Sequence, residues 1–132
     1  MMYLFDSYAW VEYLSGSKAG RSVSELVESG KDIYTPTIVV AELKRKFLRE
    51  SKDKNKGKVE DMLRFIKLNS LIVDLDLDTA EKAAEIVDEM SSKKGFGLAD
   101  GIVLATARRL NAKVVTGDEH FRGLKDIVFI KE

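Results

Sequence analysis

Four acidic side chains are the best candidates for chemistry in this sequence: Asp6, Glu42, Asp100 and Asp118. Asp6 and Asp118 stand at the ends of short apolar runs, whereas Glu42 and Asp100 lie near the starts of segments with helical apolar spacing. Two unit charges about 5 Å apart repel by ~3 kcal/mol at an effective dielectric of 20. If the four carboxylates cluster, they therefore need a compensating cation.

Carboxylate oxygens favour a hard cation such as Mg²⁺ or Mn²⁺, which keeps several waters and bridges to phosphates. The chemistry that this predicts is attack of metal-activated water on a phosphodiester bond. Taken singly, each later acid also has a simpler explanation. Glu42 could pair with Lys46, Asp100 could favour a helix N-terminus, and Asp118 could cap the turn that follows it.

The elements that would position these acids follow from the hydrophobic pattern. Short strands are predicted at residues 2–5, 32–34, 71–73, 112–116 and 127–130, with helical patterns between them. This alternation favours an α/β fold, with a parallel sheet covered by helices on both faces, in one domain spanning 1–132. Ligands bind at the carboxyl edge of such sheets, so the acids should meet there.

Capping residues predict where the first helices begin. After a turn at residues 15–17, a second helix is expected from Ser22 to near Gly30. Thr35 should cap a third helix whose first residue is Pro36. Glu42 would then project from the buried stripe of that helix.

The later helices have similar signals. Asp78 and Glu81 have the spacing of a capping box, and residues 94–97 read as a flexible connector. The helix at residues 98–110 is apolar nearly all round, so it should be buried and central. Residues 51–57 are polar and basic, and they are expected to form a loop or a frayed helix end.

Composition narrows the class of protein. Apolar residues make up 45% of the 132 residues, there is no cysteine, and His120 is the only histidine, so a zinc cluster of Cys and His is excluded. The N-terminal apolar run is too short for a signal peptide, and no segment reaches the ~20 apolar residues of a membrane span. We therefore expect a cytoplasmic protein without membrane contact.

Charge is segregated along the chain although the net charge is zero. Residues 44–58 contain eight basic and two acidic residues, a net charge of +6, and residues 74–90 have a net charge of −6. The basic segment could contact a polyanion, although such a run is more often a solvated helix face.

Two other patterns carry less weight. Residues 74–85 mimic a calcium loop, but Thr79 stands where the sharp turn needs glycine. His120 could act as a general base, but a lone histidine beside Phe121 on a turn is more often a surface residue.

Four segments resemble the PIN-domain nucleases, particularly the VapC-type toxins of prokaryotic toxin-antitoxin pairs: Leu4-Phe5-Asp6-Ser7, Thr37-Ile38-Val39-Val40-Ala41-Glu42-Leu43, Leu98-Ala99-Asp100-Gly101-Ile102-Val103-Leu104-Ala105-Thr106-Ala107 and Val114-Val115-Thr116-Gly117-Asp118-Glu119-His120-Phe121. The resemblance implies a PIN-like three-layer sandwich with a mostly parallel central sheet. It also implies a Mg²⁺-dependent (or Mn²⁺-dependent) endoribonuclease. The acids Asp6, Glu42, Asp100 and Asp118 would be catalytic, with Asp6, Asp100 and Asp118 as metal ligands and Ser7 and Thr116 in support.

The resemblance further implies an RNA substrate, a homodimer and a small cognate antitoxin. RNA or antitoxin contact is assigned to four basic residues: Lys44, Arg45, Lys46 and Arg49. Two other functions stay open at this point: a non-catalytic RNA-binding PIN module and a receiver-like signalling domain. The receiver-like alternative fits less well, because a receiver needs paired acids after the first strand and Asp6 stands alone there.

Overall fold

The computed structural model describes residues 1–29, 32–51, 56–90, 92 and 95–131, and these form one five-stranded sheet with helices around it. The strands are β1 (Met2–Phe5), β2 (Asp32–Pro36), β3 (Leu71–Val73), β4 (Lys113–Thr116) and β5 (Ile127–Phe129). The helices are α1 (Ser7–Ser15), α2 (Lys18–Glu28), α3 (Thr37–Ser51), α4 (Lys56–Asn69), α5 (Leu77–Glu89) and α6 (Leu98–Leu110), followed by a 3₁₀ turn (Glu119–Phe121).

The sheet has the order β3-β2-β1-β4-β5, and every neighbouring pair is parallel. The chain moves from β1 to one edge and then crosses back to β4. Because crossovers between parallel strands are right-handed, this reversal places helices on both faces. The predicted α/β sandwich is confirmed, and the mostly parallel sheet is entirely parallel in the described part of the chain.

Strand β1 lies at the centre of the sheet and defines the point where the strand order reverses. Leu4 and Phe5 are fully buried, and Phe5 is in register with Val115 of β4. The two strands therefore end side by side, and the residues that follow them meet at one edge. In open α/β sheets this reversal point is where ligands bind.

The connection from α1 to α2 is tighter than predicted. Gly16 ends α1 with φ 69°, and the Ser17 hydroxyl accepts a hydrogen bond from Gly20 N (2.9 Å), so α2 begins at Lys18 rather than at Ser22. A Cβ on Gly20 would lie 2.0 Å from the Glu12 carbonyl oxygen. Glycine at this position lets the two helices approach closely. The predicted helix end near Gly30 lies outside the described residues.

The predicted start of α3 is wrong. Thr35 and Pro36 belong to β2, and α3 begins at Thr37. Thr35 is fully buried, and its hydroxyl accepts from Trp10 Nε1 (3.0 Å) and hydrogen-bonds Ser70 Oγ (2.8 Å), so it is not available as a cap. Pro36 is the last residue of β2; it lies beyond the residues that pair with β1 and is in register with Val73 of β3.

The predicted capping box of α5 is also wrong. Asp76 caps the helix by accepting from Thr79 N (2.8 Å), and Asp78 instead pairs with Lys82 (3.0 Å). Asp76 is further held by Arg109, which sequence spacing could not show. The expected loop at 51–57 falls partly on residues 52–55, and the connector at 94–97 includes residue 94, all outside the described part of the chain.

Helix α6 is central, as predicted. Seven consecutive residues, Gly101 to Ala107, are buried. A Cβ on Gly101 would meet the Ala83 carbonyl oxygen at 2.8 Å, so glycine permits close packing of α5 on α6. Within the described ranges, no helix is long and apolar enough to cross a membrane.

Candidate active site

Asp6 is the most buried of the four acids, with 6% of its surface exposed. It caps α1 by accepting a hydrogen bond from Ala9 N (3.0 Å). Burial raises the pKa of Asp6 to about 7, while hydrogen bonds from Thr116 and Ala9 oppose that rise. A carboxyl group with this pKa can hold or release a proton near neutral pH.

Thr116 and Asp118 stand at the end of the neighbouring strand. Thr116 is fully buried, and its Oγ1 accepts a hydrogen bond from Asp118 N (2.9 Å). Asp118 in turn caps the 3₁₀ turn, because its Oδ1 accepts from His120 N (3.0 Å). The capping explanation of Asp118 is thus correct as local structure, and it leaves the second carboxylate oxygen for another role.

Glu42 lies at the mouth of the site rather than on the buried stripe of α3. The residue is exposed, and the prediction that it projects from the apolar stripe is wrong. Ser7 Oγ donates to Glu42 Oε1 over 2.8 Å, whereas Lys46 pairs with Glu50 (3.2 Å). The simpler explanation of Glu42 as the partner of Lys46 is therefore not what the structure shows.

Electrostatic repulsion links all four acids. Although Glu42 is exposed, the protein around it removes part of its hydration and so raises its pKa; the hydrogen bond from Ser7 opposes this rise, and the charges of Asp100 and Asp118 add to it. Asp118 and Glu42 likewise add to the rise at Asp6. The structure therefore brings the four sequence-predicted acids into one electrostatic cluster at the carboxyl edge of the sheet.

The contact of His120 with two of the acids is the feature of the site that the sequence did not predict. Its Nδ1 lies 2.9 Å from Asp100 Oδ2 and 3.4 Å from Asp118 Oδ1, so it is not an isolated surface residue. The only signal in the sequence was its position two residues after Asp118. A 3₁₀ turn capped by Asp118 brings that position back towards the carboxylate that caps it.

The arrangement fits a divalent cation. Asp100, Asp118 and His120 each offer one ligand atom, and these atoms lie within 4.8 Å of one another. Asp6, a predicted ligand, is not a member of this group of three. The two carboxylates supply the hard oxygen ligands that Mg²⁺ and Mn²⁺ prefer, whereas an imidazole is not a usual ligand of Mg²⁺.

The predicted basic contact residues lie on α3 beside Glu42. Arg45, Lys46 and Arg49 line a shallow groove together with Glu42 and Glu50. Lys44 approaches Glu60 (3.9 Å) and Lys46 pairs with Glu50, but Arg45 and Arg49 form no ion pair with any residue that the structure describes. The charges of the two arginines are therefore the ones in this set that no described ion pair neutralises.

The fold and the site together define a class: all-parallel α/β proteins that carry a cluster of carboxylates at the point where the strand order reverses. The family model for the PIN domain matches residues 3–127. The chain belongs to the PIN domain family. Curated proteins provide no significant match.

Solved structures give the same fold. A toxin-antitoxin complex from Klebsiella pneumoniae is 22% identical with a TM-score of 0.77, covering 98% of each chain. VapBC2 from Rickettsia felis, bound to a promoter DNA fragment, is 22% identical with a TM-score of 0.76 over 98% of this chain and 97% of that one. The sarcin-ricin-loop-cleaving toxin VapC20 from Mycobacterium tuberculosis is 14% identical with a TM-score of 0.72 over 95% and 96%.

Proposed function

We propose that this protein is a Mg²⁺- or Mn²⁺-dependent endoribonuclease and the toxin of a type II toxin-antitoxin pair, acting in the cytoplasm as one PIN-like domain spanning 1–132. The observation that carries the proposal is the meeting of Asp6, Glu42, Asp100 and Asp118 at one edge of a PIN fold. Membership of this family argues against the receiver-like alternative.

The residues have separate roles in this proposal. Asp100 and Asp118 would hold the cation together with the neighbouring Asp6, and Glu42 would face the entering substrate while Ser7 fixes its orientation. The chemistry that a divalent cation supplies at such carboxylates is activation of water and polarisation of the phosphate. Arg45 and Arg49 would hold the RNA backbone beside the acids.

RNA cleavage tests the proposal. Total RNA and a labelled hairpin with a sarcin-ricin loop sequence are incubated with the protein and Mg²⁺; the hairpin is included because one structural neighbour is described as cleaving that loop. We expect internal cleavage that EDTA stops and that Asp118→Asn lowers by at least ~100-fold. Asp61→Asn, an exposed change on α4, is the matched control.

The same assay separates catalysis from the alternative of an RNA-binding PIN module. A non-catalytic module would bind these RNAs without cutting them at any Mg²⁺ or Mn²⁺ concentration. The proposed site would be contradicted if EDTA did not reduce cleavage by the wild type and if Asp118→Asn cleaved RNA as fast as the wild type.

An antitoxin partner is part of the proposal. The neighbours from Klebsiella pneumoniae and Rickettsia felis are complexes of a toxin with its antitoxin. An apolar groove between α1, α3 and α4, lined by Leu14, Phe47, Val59 and Met62, offers a place for an apolar segment of such a small protein. Inhibition of the nuclease by the product of an adjacent short reading frame would support this partner.

A homodimer is proposed on separate grounds. Large apolar side chains are exposed around the edge strand β3, with Leu68 77%, Leu71 56% and Leu77 78% exposed. Unpaired strand edges and contiguous apolar surface are features of association sites. Light scattering after size-exclusion chromatography measures the mass of the species, and Leu71→Glu should shift it towards the monomer.

A further inference from the structure

The side chain of His120 connects two carboxylates of the proposed metal site. Its Nδ1 lies 2.9 Å from Asp100 Oδ2 and 3.4 Å from Asp118 Oδ1. An ionised carboxylate oxygen can only accept a hydrogen bond, so the hydrogen of this contact belongs to Nδ1. The imidazole therefore donates to the acid of α6 and lies beside the acid that follows β4.

These contacts use only one oxygen of each carboxylate. Asp100 Oδ2 also accepts from Gly97 N (3.1 Å), and Asp118 Oδ1 also accepts from His120 N (3.0 Å). Asp100 Oδ1 and Asp118 Oδ2 receive no hydrogen bond from any part of the chain that the structure describes. Fixing one oxygen of a carboxylate determines the direction of the other.

We propose that His120 is a positioning residue: its Nδ1–H fixes one oxygen of Asp100 and its backbone N–H fixes one oxygen of Asp118, so that the remaining oxygens of both carboxylates face a shared divalent cation. The inference rests on the proposed metal-dependent function and adds a residue to it. Partners that orient metal ligands in this way usually affect metal affinity strongly, by ~10- to 100-fold when they are removed.

Gly95 leaves the space that the imidazole ring of His120 occupies. Gly95 has φ +85°, and a Cβ at this position would lie 2.5 Å from His120 Nε2. The absence of a side chain at residue 95 thus makes room for the imidazole. Nε2 of His120 faces Gly95 and Nδ1 faces the acids. The nitrogen on the side of the metal site is therefore Nδ1, which already donates a hydrogen bond to Asp100.

Two amide substitutions test the role of the donor. In His120→Asn the side-chain amide can occupy the place of Nδ1, whereas in His120→Gln it lies one bond further out and cannot. Mn²⁺ dissociation constants are measured from the free-ion electron paramagnetic resonance signal for both variants, for His120→Ala and for the wild type. We expect Ala and Gln to weaken binding by ~10-fold or more and Asn to stay within ~3-fold of the wild type.

A spectroscopic measurement distinguishes positioning from direct ligation. His120 is the only histidine of the sequence, so electron spin echo modulation of the Mn²⁺-loaded protein reports on this ring alone. We expect no coupling of a directly bound imidazole nitrogen. Such a coupling would overturn the positioning role, as would wild-type affinity in His120→Ala or equal losses in the Asn and Ala variants.

The failure of the proposed function has a different signature. If the wild type neither binds Mn²⁺ nor cleaves RNA, both the metal site and the inference fall. If it binds Mn²⁺ and His120→Ala binds equally well, only the inference falls. Near-ultraviolet circular dichroism of each variant confirms that the compared proteins are folded.

Discussion

The Thr116 hydroxyl lies at the end of β4 beside the Asp6 carboxylate and lowers the pKa of that carboxyl group against the effect of burial. Thr116 Oγ1 also accepts from Asp118 N, so one buried hydroxyl joins the acid after β1 to the acid after β4. This contact follows from the parallel register of Phe5 with Val115. It explains how a carboxyl group can be buried beside other acids without losing all its polar partners.

The first prediction concerns Asp6 and pH. Its pKa is raised from 3.8 to about 7, so the folded state binds a proton that the unfolded state has released. The resulting stability is present below pH 3.8 and is lost as pH rises through about 7. Asp6→Asn keeps a capping side chain but cannot ionise. Without metal at pH 8, the free energy of unfolding of this variant should exceed that of the wild type by roughly 2 to 4 kcal/mol. The difference should shrink towards pH 4.

Urea unfolding in EDTA at pH 4, 6 and 8 measures this difference. A gap that does not depend on pH would show that the carboxyl group of Asp6 is not neutralised by folding. Asp61→Asn provides the control, because that acid lies exposed on α4 beside Arg64.

The second prediction concerns the Ser7 hydroxyl. Its hydrogen bond lowers the pKa of Glu42 against the effects of burial and of two neighbouring acids. Ser7→Ala removes this opposing contribution, so the pKa of Glu42 should rise further. We expect the acid limb of the pH profile of RNA cleavage to move to higher pH. Ser15→Ala removes a hydroxyl from the other end of α1 and should leave the profile unchanged.

The acids could be predicted from the sequence because strand ends and helix starts follow from local apolar patterns. A parallel sheet then brings such ends to one edge, whatever the detail of the loops. The contact of His120 could not be predicted, since it depends on a 3₁₀ turn and on the space left by Gly95. Thr35 was misplaced for a similar reason, because its hydroxyl is engaged by Trp10 from a distant helix.

The third prediction concerns Arg45 and Arg49 on the groove beside Glu42. Reversing both charges should weaken RNA binding and reduce the slope of log affinity against log salt, because each lost phosphate contact releases one counterion fewer. We expect the slope to fall by ~1 to 2 for the double variant. Arg64→Glu with Arg108→Glu reverses two exposed charges elsewhere and is the matched control. Equal slopes in the two double variants would leave the basic segment as a solvated helix face.

The last prediction concerns Gly117, which stands between Thr116 and Asp118. A Cβ at this position would lie 2.3 Å from Tyr8 Cε1, so the glycine lets the Tyr8 ring rest against the backbone beside the site. Gly117→Ala must displace either the ring or the strand end, and overpacking of this kind costs ~1 to 3 kcal/mol. If the ring is the obstacle, Tyr8→Ala should remove most of that cost. Urea unfolding of the wild type, the two single variants and the double variant gives the coupling free energy, which we expect to be ~1 kcal/mol or more. Additive effects would mean that the strand end itself, and not Tyr8, resists a side chain at residue 117.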